Sequence, residues 1–461
     1  MSVNPRDGST LATLPDGGTA DVDRAVVAAR TAFEDGRWRD RAPSERKAVL
    51  LAVADLVADH ADELALLETL DTGKPIGDTT TVDAPSAAAT LRWYAEAADK
   101  VYGEVAPTGP DALATITAEP VGVVGAVVPW NYPLIITAWK LGPALLTGNS
   151  VVVKPAEQSP LATLRLAELA AEAGLPDGVL NVVPGTGATG AALAEHLDVD
   201  ALTFTGSTAT GRRILQAAAT SNLKRVSLEL GGKSPQVVFA DVPDLDAAAE
   251  AIAWGIFYNQ GQTCHAGSRL VVADAVADEL VERIAAVARD LRPGDPLDPD
   301  TQLGALVSAD QLDRVVGYLD LARDEGAEIA VGGGRPEPVP GGSYLEPTVL
   351  DRVPTTSRLA REEIFGPVLT VHRFAGDEAD AIRIANDTEY GLAGAVWSAD
   401  HGRAERVARR LRAGVVYVNS FDVGDLTVPH GGYGASGSGG RDKSLHAIGQ
   451  YTERKTTWRQ L

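Results

Sequence analysis

Cys264 is the only cysteine in 461 residues, and it lies in the stretch FYNQGQTCHAGSRL at positions 257–270. Free cysteine is among the most buried residue types, so one interpretation is a small core side chain. The other is a nucleophile, since the small residues on both sides let backbone N–H groups and other molecules approach the sulfur. A lone cysteine does not by itself decide between these two interpretations.

Two other segments carry polar groups suited to the same chemistry. In LELGGKSP, Glu229 ends a predicted strand just before two glycines. Such a carboxylate acts as a general base if burial raises its pKa, or else forms a structural salt bridge, for example with Arg225. In VPWNYP, the side-chain amide of Asn131 is a candidate donor to a developing oxyanion. The segment REEIFGPV adds two carboxylates beside Phe365.

Two segments have features of a dinucleotide site. In ALTFTGSTATG a predicted strand ends near Ser207 and a helix follows, and a helix N-terminus can bind phosphate. In VVVKPAEQSP, Lys154 and Glu157 follow a strand, where ligands bind in open α/β sheets. Lysine and carboxylate both suit ribose hydroxyls, and the carboxylate would repel the additional phosphate of NADP. ALTFTGSTATG lacks the G-x-G-x-x-G pattern, so an ordinary capped turn is the alternative there. For Lys154 and Glu157, the alternative is two exposed charges in a loop.

Composition limits the function classes. The net charge of −22 argues against nucleic acid or anionic membrane as partners. The seven histidines form no H-x-x-x-H pair or Cys/His cluster along the chain, so the sequence predicts no metal site. A G-x-S-x-G elbow is also absent, which leaves serine hydrolase chemistry unsupported.

The chain shows no sign of export or membrane insertion. MSVNPRDGST lacks a basic segment followed by an apolar one, and a single cysteine excludes an internal disulfide. The apolar run at 121–146 contains two prolines, Asn131 and Lys140, which argue against a lipid-facing span. The sequence therefore predicts a cytoplasmic protein.

Apolar spacing predicts the elements that must position these residues. Before residue 100, the segments 21–36 and 44–71 have helical periodicity and begin with Asp21 and Ser44 as caps. From residue 121, short β-branched runs alternate with Ala-rich helices, which indicates a doubly wound, mostly parallel sheet. A second α/β alternation follows Cys264. The tail GQYTERKTTWRQL is typical of an edge strand, and we expect it to pair with a partner subunit.

Taken together and in order, seven segments closely resemble the aldehyde dehydrogenase superfamily. They are PWNYP, KPAEQSP, FTGST, LELGGKSP, NQGQTCHAGSRL, EEIFGPV and PHGGY, and the similarity runs from about residue 10 to the C-terminus. The stretches LALLETLDTGKPI and LRWYAEAADKVYGEV are most similar to bacterial γ-glutamyl-γ-aminobutyraldehyde and aminoaldehyde dehydrogenases.

The resemblance implies an α/β fold with a Rossmann-type cofactor domain, an α/β catalytic domain and a small β oligomerisation arm. It assigns residues 1–102 and 121–231 to the NAD-binding domain, 232–445 to the catalytic domain, and 103–120 with 446–461 to the arm. It also implies a homodimer or homotetramer that acts on a small-molecule aldehyde, with NAD favoured over NADP.

The resemblance also implies residue roles. Cys264 matches the nucleophile, Glu229 the general base for deacylation, and Asn131 the oxyanion donor. The matching cofactor contacts are Pro129, Trp130, Lys154, Glu157, Gly187, Ser207, Leu230, Glu363 and Phe365. The matching charge cluster at the subunit interface comprises Arg225, Arg441 and Glu453.

The substrate prediction depends on the pocket leading to Cys264. Tyr132 and Trp139 match its aromatic wall, and Gly424 should widen its entrance. Acidic residues available to an ω-ammonium group are Asp83, Asp422 and Asp425. These acidic groups favour an ω-amino or γ-glutamylamino aldehyde, although solvated loop charges would look the same.

Several alternatives remain at this level. They are a broad-specificity aliphatic or betaine-type aldehyde dehydrogenase, a CoA-acylating semialdehyde dehydrogenase, and a non-catalytic protein that keeps the fold. His265, where the family more often has a non-ionisable residue, either lowers the pKa of the neighbouring thiol or points into the core.

Overall fold

The computed structural model describes residues 1–375 and 377–461. Within them the strands form a short ribbon and three larger sheets. The strands are β1 (Ser2–Val3), β2 (Thr10–Ala12), β3 (Glu104–Ala106), β4 (Ala112–Pro120), β5 (Val123–Val127), β6 (Ser150–Lys154), β7 (Leu180–Val182), β8 (Ala201–Thr205), β9 (Arg225–Glu229), β10 (Pro235–Val238), β11 (Arg269–Ala273), β12 (Glu328–Val331), β13 (Thr348–Asp351), β14 (Val368–Phe374), β15 (Ala393–Trp397), β16 (Val415–Val418), β17 (Gly437–Ser438) and β18 (Thr452–Gln460).

The helices pack around these sheets. They are α1 (Thr19–Glu34), α2 (Pro43–Asp59), α3 (Ala61–Thr72), α4 (Ile76–Asp78), α5 (Ala84–Glu96), α6 (Pro133–Leu146), α7 (Leu161–Glu172), α8 (Gly187–Glu195), α9 (Thr208–Thr220), α10 (Leu245–Phe257), α11 (Asp274–Asp290), α12 (Ala309–Asp324), α13 (Arg358–Arg361), α14 (Glu378–Ala385) and α15 (His401–Arg410).

The first large sheet has the strand order β17-β9-β8-β5-β6-β7. From β9 to β7 all neighbours are parallel, and the order reverses at β5. Both faces are covered: Val124 contributes to the core with α2, α5, α6 and α7, whereas Val123 contributes to the core with α1, α8 and α9. The predicted doubly wound sheet is confirmed, and such a reversal creates a crevice at the carboxyl ends of the strands.

The second sheet has the order β12-β13-β14-β11-β10-β15-β16. It is parallel except for β12, which pairs antiparallel with β13. Helices α10 and α11 bury one face, and α14 and α15 bury the other. The predicted second α/β alternation is confirmed, but sequence analysis missed β15, whose run AGAVW begins with small residues that carry little strand signal.

The N-terminal helices differ in detail from the prediction. The segment 44–71 is not one helix, because His60 leaves the helical region at ψ 22 and separates α2 from α3. Its ring nitrogen lies 2.9 Å from the Leu56 carbonyl and helps to end α2. The predicted caps are also wrong. Helix α1 begins after Gly18 with Asp21 inside its first turn, and α2 begins at Pro43.

The C-terminal tail forms β18 and pairs within its own chain. All nine residues of β18 lie antiparallel to β4, and β3 flanks β4 on the other side. The tail therefore has a partner strand in its own chain that sequence analysis did not find, and the pairing of its other edge with a partner subunit stays a prediction. The sequence separation between β4 and β18 hid this pairing. Within the described residues no strand pairs with the other edge of β18. Trp458, which is part of β18, is exposed.

The apolar run at 121–146 forms β5, a loop and α6. Lys140 in α6 is buried, and its ammonium group lies 3.1 Å from Asp442. In the described part of the chain, every helix is too short or too polar to cross a bilayer.

A buried charge cluster fixes the start of α6. The ammonium group of Lys74 lies 2.6 Å from Asp83 Oδ1 and 3.4 Å from Glu68 Oε1, and all three side chains are fully buried. Burial and the charge of Asp83 raise the pKa of Glu68 well above its ordinary value. The other oxygen of Glu68 accepts a hydrogen bond from the Leu134 N–H, and Lys74 lies 3.8 Å from the ring centroid of Tyr132.

Substituting Lys74 by Met should destabilise the fold by about 3–5 kcal/mol, because Asp83 would remain buried without its cation. Thermal and urea unfolding midpoints would measure this loss. Lys100→Met is the matched control, since Lys100 is exposed beside Asp99 and should contribute less than about 0.5 kcal/mol. Equal effects of the two substitutions would contradict the argument.

Candidate active site

Cys264 follows α10 after a sharply turned segment. Asn259, Gln260 and Gly261 all have positive φ, at 50°, 55° and 69°. A Cβ on Gly261 would lie 2.1 Å from the Gly366 carbonyl oxygen, so only glycine fits there. The sequence NQG therefore sets the turn that presents the thiol, and left-handed non-glycine residues of this kind cluster at functional sites.

Side-chain amides connect this turn to the loop after β5. Asn131 Nδ2 donates to the Gln262 carbonyl oxygen at 2.8 Å, and Asn259 Nδ2 donates to the Asn131 carbonyl oxygen at 3.2 Å. The side chain of Gln262 in turn accepts from the Val307 N–H at 3.0 Å. A primary amide has two hydrogens, so Asn131 keeps one donor for a ligand. Sequence analysis found Asn131 but missed Asn259 and Gln262.

Cys264 lies where two cavities meet. The larger cavity has a volume of about 530 Å³ and the smaller one about 170 Å³, and both are lined by Cys264 and Ile136. Cys264 is partly exposed. The interpretation of Cys264 as a core residue is therefore wrong, and the thiol is open to ligands from two directions.

The smaller cavity lies at the carboxyl ends of β5, β8 and β9, where the strand order of the first sheet reverses. Most of the predicted cofactor residues line it, namely Pro129, Trp130, Ser207, Leu230, Glu363 and Phe365. Lys154, Glu157 and Gly187 do not line it. They lie beyond neighbouring strand ends of the same sheet edge, with Lys154 at the end of β6 and Gly187 after β7.

Several observations fit a dinucleotide in this cavity. Ser207 caps α9 at the cavity wall, and the helix N-terminus is a suitable position for a phosphate. Thr205 Oγ1, also in the wall, is buried and has no hydrogen-bond partner within the described residues. Lys154 Nζ donates to Glu157 Oε2 at 3.0 Å, which gives the sheet edge a paired cation and carboxylate.

Glu363 reaches this cavity from the second sheet's side. Its Oε1 accepts from the Gly232 N–H at 2.9 Å, and a Cβ on Gly231 would collide with the carboxylate at 2.2 Å. Burial raises the pKa of Glu363 to about 7. Next to it, Phe365 packs edge-on against Trp130 with ring centroids 5.2 Å apart. Gly231 and Gly232 thus make room for the Glu363 carboxylate, which lines the smaller cavity.

Glu229 is buried at the end of β9, and its Oε2 has no hydrogen-bond partner within the described residues. Burial, together with the charge of Asp442, raises the pKa of Glu229 well above its ordinary value, against the opposing charges of Lys140 and Arg441. The alternative salt bridge to Arg225 does not form, because Arg225 lies 3.5 Å from Glu453 at the sheet edge. Such an unpaired buried carboxylate has the electrostatics of a general base.

Of the predicted interface charge cluster, the structure brings together Arg225 and Glu453 but not Arg441. Arg225 also donates to the Thr452 carbonyl oxygen at 2.8 Å, so it joins the first sheet to β18. Arg441 instead donates to the Gly440 carbonyl oxygen and lies over the ring of Tyr433.

Two histidines flank the thiol. His265 Nδ1 lies 3.8 Å from Cys264 Sγ, and its Nε2 lies 2.6 Å from Asp422 Oδ1. Burial disfavours the imidazolium, but the charge of Asp422, its hydrogen bond and the neighbouring Cys264 together outweigh burial and raise the pKa of His265 to about 10. His265 lines the larger cavity, so the expectation that it points into the core is wrong.

The second histidine, His430, was missed by sequence analysis because it is distant in the chain. Its Nε2 lies 4.0 Å from Cys264 Sγ, and its ring lies 5.3 Å from that of Trp139. Burial, then the charge of His265, lowers the pKa of His430 to about 3, so this ring is neutral.

Aromatic and aliphatic side chains form most of the wall of the larger cavity. Of the predicted substrate residues, Tyr132, Trp139 and Asp422 line it, whereas Asp425 does not and instead accepts from the Thr427 N–H at 2.8 Å. Asp83 is buried against Lys74 and lines neither cavity. Sequence analysis missed three further aromatic residues of the wall, Trp254, Tyr258 and Phe421. Of these, Trp254 and Tyr258 are four residues apart, a spacing that could have indicated a shared face.

Comparisons with known proteins agree with this geometry. The profile described as Aldehyde dehydrogenase family matches residues 1–457. The NADP/NAD-dependent aldehyde dehydrogenase PuuC of Escherichia coli (strain K12) is 53% identical over 461 residues, which cover 100% of this chain and 92% of the relative.

Solved structures of relatives have the same fold. The γ-glutamyl-γ-aminobutyraldehyde dehydrogenase of Burkholderia cenocepacia J2315 matches with a TM-score of 0.97 at 56% identity, over 100% of this chain and 92% of the other. An indole-3-acetaldehyde dehydrogenase bound to NAD+ matches with a TM-score of 0.98 at 52% identity, with the same coverage. The fold, the position of Cys264 and these matches along the whole length lead to one conclusion: the chain belongs to the aldehyde dehydrogenase family.

Proposed function

We propose that this enzyme oxidises an aldehyde to a carboxylic acid with NAD+, through a thioester on Cys264. One observation carries the proposal: a single thiol lies at the junction of two cavities, one at the switch point of a doubly wound sheet and one with an aromatic wall. This arrangement lets a substrate carbon and a dinucleotide reach the same sulfur from different sides.

The first step is addition of the Cys264 thiolate to the aldehyde carbon, which gives a thiohemiacetal. Asn131 lines the same cavity as Cys264, and the amide hydrogen that the Gln262 carbonyl oxygen does not hold is the proposed donor to the oxyanion. NAD+, when bound, supplies the hydride acceptor. The residues proposed to hold it are those lining the smaller cavity together with Lys154, Glu157 and Gly187.

The second step is hydrolysis of the thioester by water. Glu229 is the proposed base, since its buried and unpaired carboxylate has a raised pKa and accepts a proton readily. The presence of this base disfavours the CoA-acylating alternative, in which a thiol instead of activated water releases the acyl group.

NAD is the favoured cofactor. Glu157 follows β6, and its side chain is half-exposed. Its negative charge disfavours the additional ribose phosphate that distinguishes NADP from NAD. Lys154 already pairs with it, so the lysine charge is not free to attract that phosphate. The E. coli relative is described as using either cofactor, and the indole-3-acetaldehyde relative is bound to NAD+.

The proposed substrate is an ω-amino or γ-glutamylamino aldehyde. Asp422 gives the larger cavity a carboxylate, and aromatic faces such as Tyr132 and Trp139 favour a cationic or amide-bearing chain. The B. cenocepacia relative named above acts on an aldehyde of this class according to its name.

A second candidate is an arylacetaldehyde. The wall contains Trp139, Trp254, Tyr132, Tyr258 and Phe421, and the carboxylate of Asp422 is already paired with His265. Such a wall also suits a neutral aromatic substrate, as in the indole-3-acetaldehyde relative.

Substituting Cys264 by Ala should abolish NADH formation, because no covalent adduct can form. Substituting Glu229 by Gln should preserve a rapid first turnover and lower steady-state turnover by at least about 10²-fold, since only hydrolysis loses its base. Stopped-flow absorbance would separate the burst from the steady state. Substantial turnover by Cys264→Ala, or a Glu229→Gln variant with a normal steady state, would refute the mechanism.

Glu229 should reduce stability at neutral pH. The pKa of Glu229 in the folded state is raised above the ordinary 4.5. As the pH rises above 4.5, the carboxyl ionises freely in the unfolded state but not in the buried site, so the folded state loses stability. Glu229→Gln should therefore raise the melting temperature by about 2–4 °C at pH 8, and by less near pH 5.

Glu362→Gln is the control for this measurement. A hydrogen bond from Arg358 lowers the pKa of Glu362, so removing that carboxylate should lower the melting temperature at pH 8. A Glu229→Gln variant that melts below wild type at pH 8 would show that Glu229 is not penalised by burial.

The substrate proposal predicts a preference for charge. We expect kcat/KM for 4-aminobutanal to exceed that for pentanal by about tenfold, or ~1.4 kcal/mol. Asp422→Asn should remove most of that preference, whereas Asp425→Ala should not, because Asp425 does not line the cavity. Equal efficiencies in wild type, with a higher value for an arylacetaldehyde, would favour the second candidate.

A further inference from the structure

We propose that Cys264, His265 and His430 form an inhibitory binding site for Zn²⁺. The sulfur and one ring nitrogen from each histidine all lie within 4.8 Å of one another. Within the described residues this is the one group of three or more His, Cys, Asp and Glu side chains whose potential ligand atoms lie this close together. It includes the reactive thiol, so an ion held here would block aldehyde addition.

The distances suit a tetrahedral ion. Zn–S bonds of about 2.3 Å and Zn–N bonds of about 2.0–2.1 Å place neighbouring donors roughly 3.3–3.6 Å apart. The sulfur lies 3.8 Å from His265 Nδ1 and 4.0 Å from His430 Nε2. Both distances exceed these spacings by less than about 1 Å, and the two histidine nitrogens lie within 4.8 Å of each other, so binding requires the side chains to move toward the ion.

An outer carboxylate orients the first histidine. Asp422 Oδ1 lies 2.6 Å from His265 Nε2, so Nε2 keeps its proton when Nδ1, which lies on the side of the sulfur, gives up its own to bind an ion. A carboxylate that orients a histidine toward an ion in this way is a recurrent feature of zinc sites.

The second histidine is held by aromatic packing. The His430 ring lies 5.3 Å from Trp139 and 5.6 Å, edge-on, from His265. Cys264 and His265 line the larger cavity, from which water or a ligand oxygen can complete the shell. Three protein donors and one open position are the pattern of an exchangeable zinc site.

Binding exchanges protons for the metal without any redox change. The thiol proton and any proton on His265 Nδ1 leave to solvent, and the thiolate and imidazoles then ligate the ion. The bound thiolate can no longer attack a carbonyl. The site thus inhibits the enzyme reversibly and protects its single thiol from alkylation.

Cobalt(II) can test the site by a signal independent of activity. Chelator-treated enzyme titrated with Co²⁺ should develop a thiolate-to-cobalt charge-transfer band and the intense visible bands of a tetrahedral ion. Zn²⁺ should remove these bands by displacement, and stoichiometric Zn²⁺ should slow iodoacetamide labelling of Cys264. Addition of EDTA should restore both the labelling and NADH formation.

Variants distinguish the three-donor site from a bare thiol. His430→Phe keeps an aromatic ring at that position, and His265→Ala removes the other nitrogen donor. Each of these two substitutions should weaken Co²⁺ and Zn²⁺ binding by more than about tenfold. Asp422→Asn should have a similar effect, because Asp422 orients His265 toward the ion. His401→Phe, at the exposed start of α15, is the matched control and should bind like wild type.

Circular dichroism and NAD+ binding would verify that each variant is folded. A wild-type cobalt spectrum without a charge-transfer band would overturn the proposal. Equal metal affinity in wild type, His430→Phe and His265→Ala would do the same, because it would assign binding to the sulfur alone. Failure of aldehyde oxidation in metal-free enzyme would instead refute the proposed function and leave the spectral result standing.

Discussion

The hydrogen bond from the Asn131 amide to the Gln262 carbonyl oxygen is the constraint on which the site depends. It joins the loop after β5 to the turn that carries Cys264, and these two segments belong to different sheets. Positive φ values at Asn259 and Gln260 are tolerated because this contact and the Val307 N–H hold the turn from outside. The position of the sulfur is therefore set by both halves of the molecule together.

The buried charges follow two different rules. Lys74 pairs with Asp83 and Glu68, and Glu68 fixes the first turn of α6, so these groups serve the architecture, although Asp83 Oδ2 has no hydrogen-bond partner within the described residues. Glu229 also has an oxygen without a partner, but among the described residues it forms no ion pair, so its environment favours proton uptake. Ion pairing offsets burial in the first arrangement and not in the second, which is the pattern expected for a structural cluster and for the residue proposed as the base.

Sequence patterns predicted the elements that are locally determined. Continuous β-branched runs predicted β5, β6 and β8 because strands buried on both faces need such residues. Local patterns could not locate the break at His60 or the partner of β18, because backbone geometry and distant packing decide them. The same limit applies at the site: Gln262 and His430 lie in recognisable segments, NQGQTCHAGSRL and PHGGY, as Cys264 and Glu229 do, but their roles depend on contacts formed only after folding.

Because the two cavities reach Cys264 from separate sides, reactants and products need not share one passage. Under the proposed function, an acid formed on the sulfur would leave through the cavity with the aromatic wall while a dinucleotide stayed at the strand ends. Neither molecule would then block the exit of the other. The order of release would depend on how strongly each cavity holds its ligand, and one ligand could exchange while the other remained bound.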